Sequence, residues 1–376
     1  MIKKLGTKKV GILTFQTGFR RGPCDFYPLI KWKKEFLKEG IGFFYFSNHE
    51  DKKIYEMDVL IIDHRYYREL TVIKHKFPDK NFIIEIINSL KSNGIKVILF
   101  DNGDGSGSGH WDLIEYVDVF VKKQVLKDKQ LYTHNFGKYS LMPFLAGYKL
   151  SSETEKKNVS FKNEYVPCPS DQINKIKVGW NIGMLDYRYF PLSRYYPFGT
   201  GRLINNIYIE PYFETDLSKK TIDSSFRGAI KENHENYSFQ RNKVVKLFNQ
   251  ERHTNLISDG VIPKKKYIKE LRHSKVCVSP FGWGEVCYRD FEAVMAGCLL
   301  LKPGMDHLET FPNIYKKNHT YIPLKWDMSD LEEKLIDALD HYDQYQAMIF
   351  KAQEIYRDVV MDSDKFIERF KNILNH

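Results

Sequence analysis

Short apolar runs recur along the chain, each closed by a polar loop and followed by a segment with helical spacing. The first series predicts strands over Val10 to Phe15, Gly42 to Phe46, Asp58 to Asp63, Lys96 to Asp101 and Tyr116 to Val121. Between them, helical spacing predicts one helix over Tyr27 to Lys38, stopped by Gly40, and another over Phe82 to Ser92, stopped by Gly94. Strands alternating with helices in this way predict a doubly wound, mostly parallel sheet. Residues Gly147 to Asn163 are polar and lysine-rich and read as an exposed excursion; Lys175 to Trp180 adds a strand. From Tyr187 to Phe213 the chain is rich in Tyr, Arg, Pro and Gly, and a packed aromatic loop is preferred there over an acceptor groove.

A second series begins near Thr221. It predicts a strand and loop over Ile222 to Ala229, a helix over Phe239 to Phe248, a strand over Asn255 to Ser258 and a helix over Lys265 to His273. Downstream come a strand at Tyr321 to Pro323 and a helix over Met328 to Leu339 capped by Asp327. Two closing helices lie around Tyr345 to Val360 and Asp364 to Leu374.

The stretch Val276 to Pro303 joins these halves of the pattern into a candidate site. Val276 to Val278 is a strand, Gly282 and Gly284 form a loop whose backbone can approach a ligand, and Leu299 to Leu301 is the next buried strand. At about 100° per residue, Cys287, Phe291, Val294 and Cys298 share one side of the intervening helix, with Glu285, Arg289 and Glu292 opposite. A charged face is ordinarily just solvated. Its place at a strand-to-helix junction argues for more, because ligands collect there in open α/β sheets and helix N-termini attract phosphate. An arginine can pair with a diphosphate, and a carboxylate can accept both hydroxyls of a ribose.

The pattern Ser-Pro-x-Gly-x-Gly, then Tyr-Arg-x-x-Glu-Ala, then Gly-Cys, spanning Ser279 to Cys298, resembles the donor-binding segment of GT-B glycosyltransferases, in particular exostosin-like enzymes. Phe226-Arg227-Gly228, at the first loop of the second series, is similar to the same pattern. The resemblance covers roughly the last 160 residues and implies two facing Rossmann-like domains with the terminal helices packing back toward the first. It implies domains at 1–215 and 216–355 and a returning helix at 356–376. It also implies donor contacts from Arg227, Gly228, Lys265, Gly282, Gly284, Tyr288, Arg289 and Glu292. Many members carry two glutamates eight positions apart; counting back from Glu292 gives Gly284, with Glu285 one residue away, so Glu285 is the less secure donor contact and no stereochemical outcome follows.

Composition narrows the partners only slightly. The chain has 376 residues, enough for two cored domains, with 42% hydrophobic and 15% aromatic residues and a net charge of +10. That charge suits a nucleoside diphosphate, an anionic glycolipid or a membrane surface. A nucleic-acid partner would want a helix-turn-helix, an aromatic RNA-binding strand or a dense basic helix, and none is present. Five cysteines without a Cys-x-x-Cys pair fit a reduced, cytoplasmic setting. No segment reaches the ~20 apolar residues that span a bilayer, so membrane contact is expected to be peripheral.

The expected activity is therefore transfer of a sugar from a nucleotide-sugar donor to a glycan or glycolipid hydroxyl. A noncatalytic nucleotide or sugar binder of the same fold is the alternative. Metal is not expected, since Asp101 to Asp104 is only a loose lookalike of a metal motif and basic side chains can take the phosphate charge. The proton acceptor should sit at a strand's carboxyl end in the first domain, which leaves Asp25, Asp63, His64, Asp101, Asp104 and His110. Asp104, in a glycine-flanked loop expected to order when acceptor binds, is preferred over Asp101 and Asp63, which can instead cap their loops.

Overall fold

A computed structural model describes residues 7–14, 23–66, 80–107, 109–134, 166–185, 211–228, 235–250, 255–258 and 260–376. The predicted excursion at Gly147 to Asn163 and nearly all of the aromatic stretch from Tyr187 to Phe213 lie outside the described residues.

The first sheet contains β1 (Lys8–Leu13), β2 (Ile41–Phe46), β3 (Val59–Asp63), β4 (Lys96–Asp101), β5 (Val119–Lys122) and, beyond the short β6 (Gln124–Leu126), β7 (Ile176–Val178). Its order is β2-β1-β3-β4-β5-β7, with every pairing parallel. The second sheet contains β8 (Ile222–Phe226), β9 (Leu256–Ser258), β10 (Ser274–Val278), β11 (Leu299–Pro303) and β13 (Ile322–Leu324), in the order β13-β11-β10-β8-β9, again all parallel. Counted within each sheet, the first runs 2-1-3-4-5-6 and the second 2-1-3-4-5. Each therefore has a switch point beside its first strand, between β1 and β3 and between β8 and β10. These are the two expected Rossmann-like domains, and the loops at the carboxyl ends of β4 and β10 meet, so the domains face each other as in a GT-B fold.

Strand alternation decides what each face covers. Val276, Val278, Leu299 and Leu301 pack with Met328, Leu331, Leu335 and Ile349 on one side of the second sheet. Cys277 and Leu300, pointing the other way, join the core of the first domain together with Phe291 and Cys298. The interface is thus apolar and continuous with a domain core. Cys277 and Cys298 act in it as small apolar residues.

The helices are α1 (Tyr27–Lys31), α2 (Lys33–Lys38), α3 (Lys80–Ser92), α4 (Glu235–Phe248), α5 (Lys264–His273), α6 (Tyr288–Met295), α7 (Leu331–Asp340), α8 (Gln346–Met361) and α9 (Ser363–Leu374). The single helix expected over Tyr27 to Lys38 is broken at Trp32, whose indole lies 5.2 Å from the Phe366 ring on α9. Phe36 and Phe43 pack on Phe370 at 5.3 and 5.4 Å, so α9 is seated on the first domain. α8 spans both cores: Ile349 belongs to the second, whereas Tyr356 stacks at 5.1 Å on Phe291 and donates to the Gly183 carbonyl at 2.6 Å.

Other expectations shift by a few residues for local reasons. Met328 has φ of 58°, so α7 starts only at Leu331, with Asp330 rather than Asp327 at the N-cap position. Tyr116 lies in a turn, its N–H bonded to the Leu113 carbonyl at 3.2 Å, and β5 begins at Val119. Gly297 ends α6 in the left-handed region (φ 70°), as its type allows. An element not foreseen ties the halves together. β6 of the first domain pairs antiparallel with β12 (Leu308–Thr310), which lies between β11 and β13 of the second.

Candidate functional site

At the switch point of the second sheet, β8 delivers Arg227 and Gly228 and β10 delivers the loop from Ser279 to Cys287. Between them lies a cavity of about 350 Å³. Its wall includes Asp104, Arg227, Gly228, Gly282, Gly284, Tyr288, Arg289 and Glu292, so eight residues singled out from sequence converge on one space. Lys265 does not line it. α5 turns that side chain outward to solvent, and Lys264 takes the place instead. Lys264 and Tyr267, one turn apart on α5, both face the cavity, as do Arg241 from α4 and Trp283 from the loop.

The electrostatics of this wall are specific. Glu292 is 6% exposed and ion-paired to Lys264 Nζ. Arg227 grips Glu270 through Nε (3.0 Å) and Nη2 (2.7 Å), which fixes its guanidinium beside the cavity. Arg289 donates from Nη2 to the Arg227 carbonyl and lies 4.6 Å over the Phe226 ring, while its buried Nε has no hydrogen-bond partner among the described residues. Four cationic side chains thus stand against two carboxylates on the wall. A buried guanidinium N–H without an acceptor is costly, and an incoming anion would relieve that cost.

Beneath the loop lies a pair that sequence reading missed. Lys302 and Asp290 are each 0% exposed, with Nζ and Oδ2 3.1 Å apart. Asp290 also accepts from Ser279 Oγ at 2.5 Å, Tyr315 Oη at 2.7 Å and the Cys287 N–H at 2.9 Å. One carboxylate therefore holds both ends of the donor-side loop.

Glu285 does not face the cavity. It is 0% exposed and turns across the domain boundary, accepting from the Ser106 N–H at 3.0 Å and from Ser106 Oγ. Next to it, a Cβ on Gly284 would sit 1.5 Å from the Asp104 carbonyl oxygen. Gly284 is thus required by the close approach of the two loops as well as lining the cavity. The glycine loop after β4 is not free, contrary to its composition. Gln124 Nε2 donates to the Asp104 carbonyl, and Tyr132 Oη donates to the Ser106 carbonyl at 3.0 Å.

The other first-domain candidates form a network behind this loop. Asp101 is buried against Lys122 Nζ at 3.0 Å and accepts from the Gly103 N–H at 3.0 Å. Burial favours its neutral form, but the Lys122 ammonium and the neighbouring imidazoles outweigh it and hold Asp101 well below the usual carboxylate range. Asp63 accepts from Thr14 Oγ1 (2.8 Å), the Arg65 N–H (2.9 Å) and Asn102 Nδ2 (3.1 Å), and burial pushes its carboxyl up to about 6. Asp25 is buried with Arg65 Nη1 at 2.5 Å. His64 is kept neutral, its pKa pushed down to about 3 chiefly by burial, and its Nδ1 accepts from the Asn102 N–H at 3.0 Å. None of Asp25, Asp63, His64, Asp101 and His110 lines the cavity. Asp104 does, 36% exposed, with Lys123 Nζ 3.4 Å from its carboxylate.

Donor atoms of His64, Asp101 and His110 lie within 4.8 Å of one another. The set fits a cation poorly. The His64 Nδ1 lone pair is engaged by Asn102, and Asp101 already bears a lysine and a backbone N–H.

No family model and no curated protein matches the chain. Among solved structures, HepE from Anabaena in complex with UDP is similar over 98% of this chain and 99% of that one, at 9% identity and a TM-score of 0.46. MnaA from S. aureus with UDP aligns over 98% and 97%, at 10% identity and a TM-score of 0.42. The pneumococcal O-GlcNAc transferase GtfA with UDP and GlcNAc aligns over 85% of this chain and 57% of that one, at 10% identity and a TM-score of 0.40. With TM-scores below 0.5, these likenesses assign no residue.

Proposed function

We propose that the chain is a glycosyltransferase that takes a sugar from a nucleoside-diphosphate donor and passes it to a hydroxyl of a glycan or glycolipid. The observation that carries this reading is the wall of the second-domain cavity, with four cations against two carboxylates and an unpartnered Arg289 Nε. A diphosphate supplies the missing negative charge, and Arg289 is its first partner, with Arg241 and Lys264 beside it. Glu292 accepts the ribose hydroxyls once Lys264 swings toward phosphate. As the glycosidic bond breaks, charge builds on the leaving diphosphate, and these cations stabilise it in a partly dry pocket without needing a metal. Asp104, on the same wall but carried by the first domain, takes the proton of the attacking hydroxyl. No helix among the described residues is long and apolar enough to cross a membrane. A glycolipid acceptor would be met by peripheral contact, on the cytoplasmic side.

The test begins with calorimetric titration of UDP, GDP and ADP into the full chain. Arg289→Ala should weaken the preferred nucleotide by about 1.5–3 kcal/mol, the range for a charge-assisted hydrogen bond, in a protein that still folds. Turnover of the matching nucleotide sugar should persist in excess EDTA. Unchanged nucleotide affinity in folded Arg289→Ala would sink the donor assignment. Binding without turnover of any nucleotide sugar would favour a noncatalytic binder.

A further inference from the structure

Asp104 reaches the cavity from a loop of alternating glycines, a sequence with little conformational preference of its own. Gln124 and Tyr132 of the first domain hold two of that loop's carbonyls, and a further contact comes from the opposite domain. Resting on the transferase reading, we propose that Glu285 is a positioning residue: through Ser106 it sets Asp104 against the donor cavity. Both Glu285 oxygens are spent on Ser106, one on the backbone N–H and one on the hydroxyl, in a site closed to solvent. His307 Nε2, 3.9 Å from Oε1, stands on the other side of the same carboxylate. Two residues upstream of Ser106, the Asp104 backbone is pressed on Gly284, so the clasp and the contact surface act on the same short segment. Charge-assisted hydrogen bonds in a dry site are among the stronger local restraints available.

Glu285 belongs to the donor-side loop and Asp104 to the first domain. The clasp therefore couples the carboxylate's position to the wall that holds the donor, and the cavity needs both domains to be complete. Glu285 makes no donor contact of its own, which separates its expected effect from that of Arg289. In Glu285→Ala, kcat should fall about 10- to 100-fold while donor KM and nucleotide Kd stay within about two-fold, and Ser106→Ala, which keeps the backbone N–H bond to Glu285, should fall between wild type and that variant. The double variant should be little worse than Glu285→Ala alone, because that change already removes both bonds. Glu285→Gln, which keeps one acceptor oxygen, should fall between wild type and alanine.

Hydrogen exchange supplies a readout that does not depend on turnover. The Ser106 amide should be protected in wild type and exchange as an open loop in Glu285→Ala, with the β4 and β10 amides unchanged. Retained Ser106 protection in folded Glu285→Ala would overturn the clasp, whatever the activity does. A loss of nucleotide affinity equal to that in Arg289→Ala would also overturn it, by making Glu285 a donor contact. Should Glu285→Ala fail to fold, Ser106→Ala carries the expectation of a partial fall in kcat, and wild-type kcat there overturns the proposal. Wild-type protein that turns over no nucleotide sugar defeats the transferase reading, a result distinct from the exchange outcome.

Discussion

Replacing Lys302 by methionine removes one charge from a pair that is closed to solvent on both sides, and the structure sets the size of the loss. The methionine fills nearly the volume of the lysine stem, so no large cavity forms and the cost is electrostatic. Breaking a buried pair from one side typically costs about 3–5 kcal/mol, because the remaining charge is left without its counterion. Asp290 keeps its bonds from Ser279, Tyr315 and the Cys287 N–H, which places the expected loss near the lower end, about 3 kcal/mol. Lys302 also loses its place 5.2 Å over the Phe281 ring and its bond to the Ser279 carbonyl. Urea unfolding at pH 7, followed by tryptophan fluorescence, measures the change in midpoint. The double variant Lys302→Met with Asp290→Asn should recover all but about 1 kcal/mol, since it removes both charges together. Nucleotide affinity should drop alongside stability in the single variant, because Asp290 ties down the loop that carries Gly282 and leads into the helix of Arg289. A single-variant loss below about 1 kcal/mol, or a double variant as unstable as the single, would refute the view that this pair is a structural anchor.

Three further outcomes follow from the site. Gly284→Ala must push the Asp104 backbone back by about 2 Å to reach ordinary contact, so turnover should collapse while UDP binding survives; wild-type turnover would refute the close approach. Asp104→Asn should lower kcat by ~10²–10⁴ with donor affinity kept, whereas Asp101→Asn should cost about 3–5 kcal/mol of stability by stranding Lys122; the reverse pattern would make Asp101 the base. The Asp63 carboxyl, raised to about 6 by burial, binds its proton more tightly folded than unfolded, so its stabilisation is full below pH ~4 and lost as pH rises through about 6. Two units correspond to about 3 kcal/mol, so urea midpoints of wild type should decline over that window relative to Asp63→Asn, and parallel profiles would refute the raised value.

The strands and most of the donor side were legible because their signals are local. Val276 to Val278 and Leu299 to Leu301 are apolar runs bounded by turn residues, and period two alone assigns Cys277 and Leu300 to the opposite core from their neighbours. Arg289 and Glu292 could be placed on one helical face by counting, and both reach the cavity. What sequence could not supply were pairings across long separations. Lys302 looks like one lysine among many until the sheet brings it under Asp290. Glu285 sits on the same helical face as Arg289 by angle, yet it precedes the first turn of α6, so helical counting does not govern where it points. Lys265 fails for a similar reason. The helix begins at Lys264, and one residue is a rotation of about 100°, enough to carry the wrong lysine into solvent.

The first-domain carboxylates are sorted by how deeply each is buried. Asp63 is closed to solvent, and that burial raises its carboxyl to about 6 against the opposing pull of the donors bonded to it. Asp101 has a buried lysine and a backbone N–H, which hold it charged but leave it too weak a base to accept a proton near neutrality. Asp104 is 36% exposed, lies on the cavity wall and has Lys123 Nζ 3.4 Å from its carboxylate. Tight bonding at Asp63 and Asp101 gives the first sheet a fixed polar floor, while the backbone anchors at Asp104 and Ser106 hold the loop. On the proposed reading, the restraint lies in the backbone and the reactivity in the side chain. That division is what a glycine-rich loop pinned from the opposite domain can provide, and what a strand end such as Asp101 cannot.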